Sequence, residues 1–227
     1  MNKKNKIVII TKKIWHPKNY KVFLKKNFII LDKLNYQKIK KIDPRIIFFI
    51  HWSKIIEKKF FENYECIQFH STNLPFGRGG SPIQNQILMG IKNTKITAFK
   101  MGKKIDDGPF IIKRPLKLKD SAQKIYTNME KISLEMIMKI SKMKKLIYKK
   151  QKGKVVIFKR RLKNQSEIKF NKINNIKKLY DYIRMLDADN YPKAFVKLNP
   201  YIAKLSNAKL INGILKATIE FKKNDKK

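Results

Sequence analysis

Short apolar runs alternate with lysine-rich stretches through the first half of the chain. The runs are rich in β-branched and aromatic residues, as buried parallel strands are. They cover residues 7–11, 28–31, 45–50 and 66–69. The stretches between them, such as 36–42 and 53–61, have the length of crossover helices. This alternation predicts an α/β fold with a Rossmann-like, doubly wound and mostly parallel sheet.

The middle of the chain predicts a short helix followed by two more strands. Ser81 stands where an N-cap is expected, directly before a proline, and Gly90 is placed to end the helix. Residues 95–101 and 109–113 read as strands, which leaves the segment between them as a loop.

A long helix and a small subdomain complete the predicted fold. Apolar residues recur every three or four positions from residue 121 to about residue 148, the pattern of one amphipathic helix packed on the sheet. Gln151-Lys152-Gly153 breaks this pattern. We therefore predict a catalytic domain over residues 1–150 and a small C-terminal α+β subdomain over 151–227. The elements predicted in this subdomain are strands at 155–159 and 194–198, a helix at 173–186 and a β-like tail at 214–221.

Composition narrows the class of protein. The chain has 227 residues, 43% of them hydrophobic, which is enough for a core. The longest apolar run, Ile46–Ile50, is too short to cross a bilayer, and no signal-peptide pattern is present, so we expect a cytoplasmic protein without a membrane span. The single cysteine, Cys66, excludes an intramolecular disulfide. No cluster of possible ligands has metal-binding spacing, so no metal is predicted.

The charge of the chain first suggests a nucleic-acid partner. There are 55 basic and 16 acidic residues, a formal net charge of +39. Only six of the basic residues are arginines, and the lysine pairs are spread along the whole chain. Because base readout and bidentate phosphate contacts favour arginine, and an AT-rich coding sequence would give the same lysine bias, composition argues against nucleic acid as a partner.

Polar side chains gather at the predicted carboxyl edge of the sheet. Gln68 and His70 lie on one face at the end of the fourth strand, where open α/β sheets bind ligands. Asp106 follows in the loop between two later strands. An amide, an imidazole and a carboxylate at one edge suit acyl transfer to an amine, because they supply an oxyanion donor, a proton shuttle and an orienting group.

These residues stand in motifs that resemble those of the 10-formyltetrahydrofolate-dependent formyltransferases. That family carries an Asn-x-His-x-Ser-Leu-Leu-Pro-x-x-Arg-Gly motif and a later Leu-Asp-x-Gly motif, and His70 and Asp106 fall on their His and Asp. Gln68 stands where the family has Asn, with the same amide one methylene further out. The resemblance covers residues 45–115 and, more weakly, 183–195.

The resemblance implies a reaction and a set of roles. The co-substrate would be 10-formyltetrahydrofolate, and no metal would be needed. His70, aided by Gln68, would stabilise the oxyanion of a tetrahedral intermediate, while Asp106 would hold the imidazole and help take a proton from the amine. By analogy with the family, the residues near the cofactor would be Trp52, Ser53, Ile55 and Asp106, with a core role for Trp52 as the alternative. The residues facing the acceptor substrate would be Asn73, Arg78 and Gly79.

The choice among formyltransferases rests on chain length and on two segments. Methionyl-tRNA formyltransferases add a C-terminal barrel domain, for which the roughly 75 residues after Gly153 leave little room. Glycinamide ribonucleotide formyltransferases need a glycine-rich loop after the first strand, and residues 11–17 contain no glycine. The short chain and its Arg78-Gly79-Gly80 segment most resemble sugar N-formyltransferases.

The predicted acceptor is therefore a UDP- or dTDP-linked amino-deoxysugar. Because sugar-modifying relatives are often dimers, a homodimer is one oligomeric state that the resemblance allows. The two other formyltransferase types, and a non-catalytic relative in which Gln68 marks lost activity, remain the alternatives.

Overall fold

The structure, a computed structural model, describes residues 6–24, 28–189 and 191–224. These residues form two compact units, each assembled from three segments. Unit 1 lies within Met1–Gly80, Thr94–Leu116 and Thr127–Phe158, and unit 2 within Ser81–Asn93, Lys117–Tyr126 and Lys159–Lys227. The predicted domains, 1–150 and 151–227, are continuous segments, and that division stays a prediction.

Unit 1 is built on a mixed six-stranded sheet. Numbered along the chain, the strands up to residue 158 are β1 (Ile7–Thr11), β2 (Phe28–Leu31), β3 (Ile46–Ile50), β4 (Cys66–His70), β5 (Arg78–Gly79), β6 (Asn93–Lys100), β7 (Phe110–Lys117) and β8 (Ile157–Phe158). The sheet order is β2-β1-β3-β4-β6-β7; β2, β1, β3 and β4 pair in parallel, and β6 pairs with β4 antiparallel. The two remaining strands, β5 and β8, pair with each other in parallel. The predicted α/β, Rossmann-like, mostly parallel sheet is confirmed.

The helices have bounds that differ in part from the prediction. They are α1 (Lys21–Leu24), α2 (Tyr36–Ile42), α3 (Lys58–Asn63), α4 (Pro82–Leu88), α5 (Ala122–Ser141) and α6 (Ile176–Arg184). Short 3-10 turns lie at Pro17–Tyr20, Lys163–Ser166 and Phe170–Lys172. The segment after β3 stays a loop until Lys58, where α3 begins. None of the helices in the described residues is both long and apolar enough to cross a membrane.

Helix α5 ends at Ser141, well before residue 148, and a distant arginine binds the main chain there. The Arg45 guanidinium donates to the main-chain oxygens of Ser141 and of Met143, the latter at 3.1 Å. A cation at this position satisfies carbonyls that have no partner within the helix. Ile147, which the apolar pattern placed on the helix, is 68% exposed.

The core of unit 1 follows from the composition of its central strands. Every residue of β1 and β3 is buried, as expected for parallel strands covered on both faces. Residues of β1, β3, β4 and α2 form one cluster on one side, among them Val8, Phe49, Cys66 and Ile39. The strands therefore give a rigid base for the loops that leave their carboxyl ends.

Unit 2 contains α4, α6 and a three-stranded antiparallel sheet. Its strands are β9 (Ala194–Leu198), β10 (Tyr201–Ile211) and β11 (Ile214–Lys223), in the order β11-β10-β9. Strand β10 was not predicted. Ser81 precedes α4 as predicted, but with a left-handed backbone (φ 50°), and its hydroxyl accepts from the Arg161 N–H instead of capping the helix.

Candidate active site

His70 and Asp106 lie together at the carboxyl end of β4, as predicted. The distance from His70 Nδ1 to Asp106 Oδ2 is 3.5 Å, and both side chains are less than a tenth exposed. His70 Nε2 lies 2.7 Å from the main-chain oxygen of Gly77. The imidazole therefore has an acceptor at each ring nitrogen, and a proton on either nitrogen has a partner.

The backbone around Asp106 is strained in a way that sets the carboxylate in place. Asp106 has a left-handed conformation (φ 52°), which is uncommon for a non-glycine residue and often marks a functional site. Its Oδ2 accepts from the Gly79 N–H at 2.8 Å. Gly79 has φ +100°, and a Cβ there would lie 2.5 Å from the Phe158 oxygen, so only glycine fits.

A glutamine that sequence analysis missed braces this arrangement. Gln151 Oε1 accepts from Nε and Nη2 of Arg78 at 3.2 and 2.7 Å. Its Nε2 donates to the main-chain oxygens of Asp106 at 2.9 Å and of Gly108 at 2.7 Å. Arg78, expected to face the substrate, thus reaches the Asp106 loop through Gln151. No periodicity or spacing marks Gln151, because its partners are distant in the sequence.

Gln68 shares a strand face with His70, two residues away. It is half-buried on β4, and its register partners are Phe49 on β3 and Phe99 on β6. The structure therefore keeps its amide at the same edge of the sheet as the imidazole. Its aid to His70 stays a prediction.

Three of the four predicted cofactor residues, all except Asp106, lie on the loop between β3 and α3. The Trp52 indole N–H donates to the Lys54 oxygen at 2.7 Å, and its ring lies 5.3 Å from that of Phe49, so Trp52 is partly a core residue. Ser53 is exposed, and Ile55 is 93% exposed. Because Trp52 is half-buried and Ile55 is exposed, apolar surface is accessible at the sheet edge. Such a surface suits a planar heteroaromatic ring.

Asn73, predicted to face the acceptor, is exposed and tied to a lysine. The Lys113 ammonium donates to Asn73 Oδ1 at 2.8 Å and also to the Leu74 oxygen. Burial, together with the positive charge of Lys95, lowers the pKa of Lys113. Across the described residues, no group of three or more His, Cys, Asp or Glu could hold a metal ion.

An imidazole–carboxylate pair at the carboxyl edge of a doubly wound sheet is an arrangement that suits an α/β enzyme of group transfer by acid–base catalysis. A family model described as formyl transferase matches residues 4–140, and one described as methionyl-tRNA formyltransferase, C-terminal domain, matches residues 163–222. The chain belongs to the formyl transferase family. Members of this family are one-carbon group transferases that use 10-formyltetrahydrofolate.

Several relatives are more than 25% identical to the chain over the aligned residues. The solved structure of methionyl-tRNA formyltransferase from Clostridium thermocellum is 42% identical, with a TM-score of 0.89 over 96% of this chain and 99% of that chain. The methionyl-tRNA formyltransferase of Thermodesulfovibrio yellowstonii is 26% identical over 78% of this chain and 58% of its own length. That of Buchnera aphidicola is 32% identical over 58% and 45%. The chain thus spans about half the length of these two curated relatives.

These relatives correct the predicted acceptor. A sugar N-formyltransferase from a Shewanella species is only 14% identical, covers 91% of this chain and 98% of its own, and at a TM-score of 0.61 shows the fold alone. The prediction of a UDP- or dTDP-linked amino sugar is therefore wrong, and so is the argument against a nucleic-acid partner. The acceptor prediction relied on the short length of the chain, and the argument against nucleic acid relied on the small number of arginines. Yet residues 163–222 match the C-terminal domain model. The alignment with the methionyl-tRNA formyltransferase of Clostridium thermocellum covers 96% of this chain and 99% of that one.

Proposed function

We propose that this chain transfers the formyl group of 10-formyltetrahydrofolate to the amino group of methionyl-tRNA. The observation that carries the proposal is the 42% identity to the Clostridium thermocellum enzyme over nearly the whole of both chains. The cytoplasmic location predicted from the sequence belongs to the same proposal, because aminoacylated tRNA is used there.

The chemistry proposed for the site forms one C–N bond and breaks another. The neutral amine attacks the formyl carbon, and the bond from that carbon to N10 of the cofactor then breaks. The amine loses one proton, and N10 takes one up, which leaves formylmethionyl-tRNA and tetrahydrofolate. His70 Nε2 would donate to the oxyanion in place of Gly77 O, while Asp106 holds the other side of the ring and helps take the proton that the amine loses.

The charge of the chain supports an RNA acceptor. A formal net charge of +39 gives a strong attraction to a polyanion, and lysines bind phosphates as point charges without the arginine fork. Few arginines limit base readout, but an enzyme that recognises an aminoacyl end can rely on shape and backbone contacts.

A panel of acceptors tests the proposal. The purified chain is incubated with 10-formyltetrahydrofolate and with methionyl-tRNA, uncharged tRNA, free methionine, or a UDP- or dTDP-linked amino sugar. We expect tetrahydrofolate to form only with methionyl-tRNA. The His70→Ala variant, purified in the same way, excludes a contaminating host enzyme. Turnover with an amino sugar and none with methionyl-tRNA would overturn the proposal.

A further inference from the structure

A fully buried carboxylate on α5 holds the loop that follows β1. Glu130 Oε2 accepts from the Trp15 N–H at 2.8 Å and from the Tyr20 hydroxyl at 3.2 Å, and Oε1 accepts from the His16 N–H at 2.9 Å. Glu130 is 0% exposed. Because a buried carboxylate is costly unless its oxygens are bonded, these loop donors are what makes its position tenable, and the carboxylate in turn fixes the loop.

The loop that follows β3 also approaches this carboxylate. His51 Nε2 lies 3.9 Å from Glu130 Oε2. Burial, with a contribution from the positive charge of Lys13, lowers the pKa of His51 to about 3. The ring is therefore neutral near pH 7, and the charge of Glu130 is stabilised by the N–H and O–H donors of the β1 loop.

These two loops meet at the point where ligands bind in doubly wound sheets. β1 lies between β2 and β3, so the chain leaves β1 toward one side of the sheet and β3 toward the other. The crevice outside the carboxyl ends of such strands is the topological switch point. Lys12 is exposed on the β1 loop, with its Nζ 5.7 Å from the ring centroid of Trp52 on the β3 loop.

We propose that Glu130 is a positioning residue: by fixing the loop after β1, it holds Lys12 where that side chain binds a phosphate of the RNA acceptor. The inference rests on the proposed function and adds a residue outside the motif that carries His70 and Asp106. Since Glu130 bonds the β1 loop and not the imidazole–carboxylate pair, its loss should weaken acceptor binding and leave the chemical step intact.

Glu130→Gln is the first test, because it keeps the size of the side chain but exchanges one acceptor oxygen for a donor. We expect KM for methionyl-tRNA to rise by at least about tenfold, with kcat within about threefold of wild type. Glu135→Gln, on the exposed face of the same helix, is the matched control and should change neither constant. A fall in kcat without a change in KM overturns the proposal.

A double-mutant cycle tests whether Glu130 acts through Lys12. Lys12→Ala should also raise KM, and the combined variant should be no worse than Lys12→Ala alone, because the lysine is then no longer there to be positioned. Additive effects of the two substitutions would show that Glu130 acts in some other way.

Two measurements keep this test separate from the proposed function. The only tryptophans, Trp15 and Trp52, lie on the two loops, so tryptophan emission and its quenching by acrylamide report their order. Glu130→Gln should increase quenching, and Glu135→Gln should not.

If wild type forms no formylmethionyl-tRNA, the proposed function fails, and filter binding of tRNA replaces KM. Unchanged quenching and unchanged tRNA affinity in Glu130→Gln then overturn the inference. Should Glu130→Gln fail to fold by circular dichroism, Glu130→Asp takes its place under the same criteria.

Discussion

The imidazole of His70 lies between two acceptors, and this geometry predicts how each partner contributes to turnover. Asp106→Asn keeps an oxygen for the Gly79 N–H but removes the charge beside Nδ1, so kcat should fall at least roughly 100-fold. His70→Ala removes the donor itself and should cost roughly 10² to 10⁴. Single-turnover rates at saturating methionyl-tRNA measure both losses. Near-full turnover of His70→Ala would show that the proposed chemistry is wrong.

Replacing Gln151 should reduce kcat in a different way, because its side chain bonds the backbone of Asp106 and not the imidazole of His70. Gln151→Ala removes the bonds to Arg78, Asp106 O and Gly108 O, so the left-handed Asp106 is no longer held. We expect kcat to fall about tenfold or more, and Gln151→Glu should not restore it, because a carboxylate keeps the acceptor for Arg78 but has no donor for the Asp106 and Gly108 oxygens. An unchanged kcat in Gln151→Ala would show that the strained loop holds itself.

His51 makes folding stability depend on pH. Its pKa is lowered to about 3 in the folded chain by burial, while the unfolded chain has the ordinary value of about 6.5, so the unfolded state binds more protons in between. Stability is therefore complete above about pH 6.5 and falls as pH decreases, by on the order of 2 kcal/mol from pH 7 to pH 5. Urea unfolding at both pH values should show this loss in wild type and a smaller loss in His51→Asn. His16→Asn is the control and should lose as much stability as wild type, because the His16 side chain is exposed.

At the scale of single elements, Arg45 predicts how the end of α5 is stabilised. Arg45→Ala leaves the Ser141 and Met143 oxygens without their side-chain donor, which should lower the free energy of unfolding by about 1–2 kcal/mol. Amide hydrogen exchange should accelerate in the last turn of α5 and not in its first. Arg45→Lys should retain part of the stability that Arg45→Ala loses, since one ammonium cannot reach both oxygens as the guanidinium does.

Local patterns predicted some elements fully and others only in part. β1, β2 and α2 have the predicted bounds, because the pattern that marks each of them is local in the sequence. The end of α5 is bonded by Arg45, which is far away in the chain, and no local pattern marks this contact. β10 has no regular alternation of apolar and polar residues and was missed, although Asn212-Gly213, both at positive φ, is a strong hairpin signal.

The candidate site divides in the same way. His70 and Asp106 were predicted because the chemistry and the motif require them. Gln151 and Glu130 were missed, since each acts through backbone groups distant in the sequence. The acceptor was misjudged for another reason: chain length was used to argue against a C-terminal domain, whereas residues 163–222 match a model of that domain.

At the scale of the whole molecule, the charge predicts how acceptor binding responds to salt. With a formal net charge of +39, binding of methionyl-tRNA should release many counterions. We expect the Kd for tRNA to rise at least about tenfold between 50 and 200 mM salt, while KM for 10-formyltetrahydrofolate changes far less. Equal, weak salt dependence of both constants would contradict an RNA acceptor held by lysines.

The pairing of β5 with β8 has a consequence for how the enzyme matures during synthesis. Asp106 leaves the ribosome 45 residues before Gln151, and β8, which bonds the Arg78–Gly79 strand, emerges later still. A nascent chain that ends between them has both groups of the reaction, and the Gly79 N–H can already bond Asp106, but the turn lacks the bracing by Gln151 and by β8. We therefore expect full activity to begin only once Phe158 has emerged, so that the progress of translation sets the moment at which formyl transfer can start.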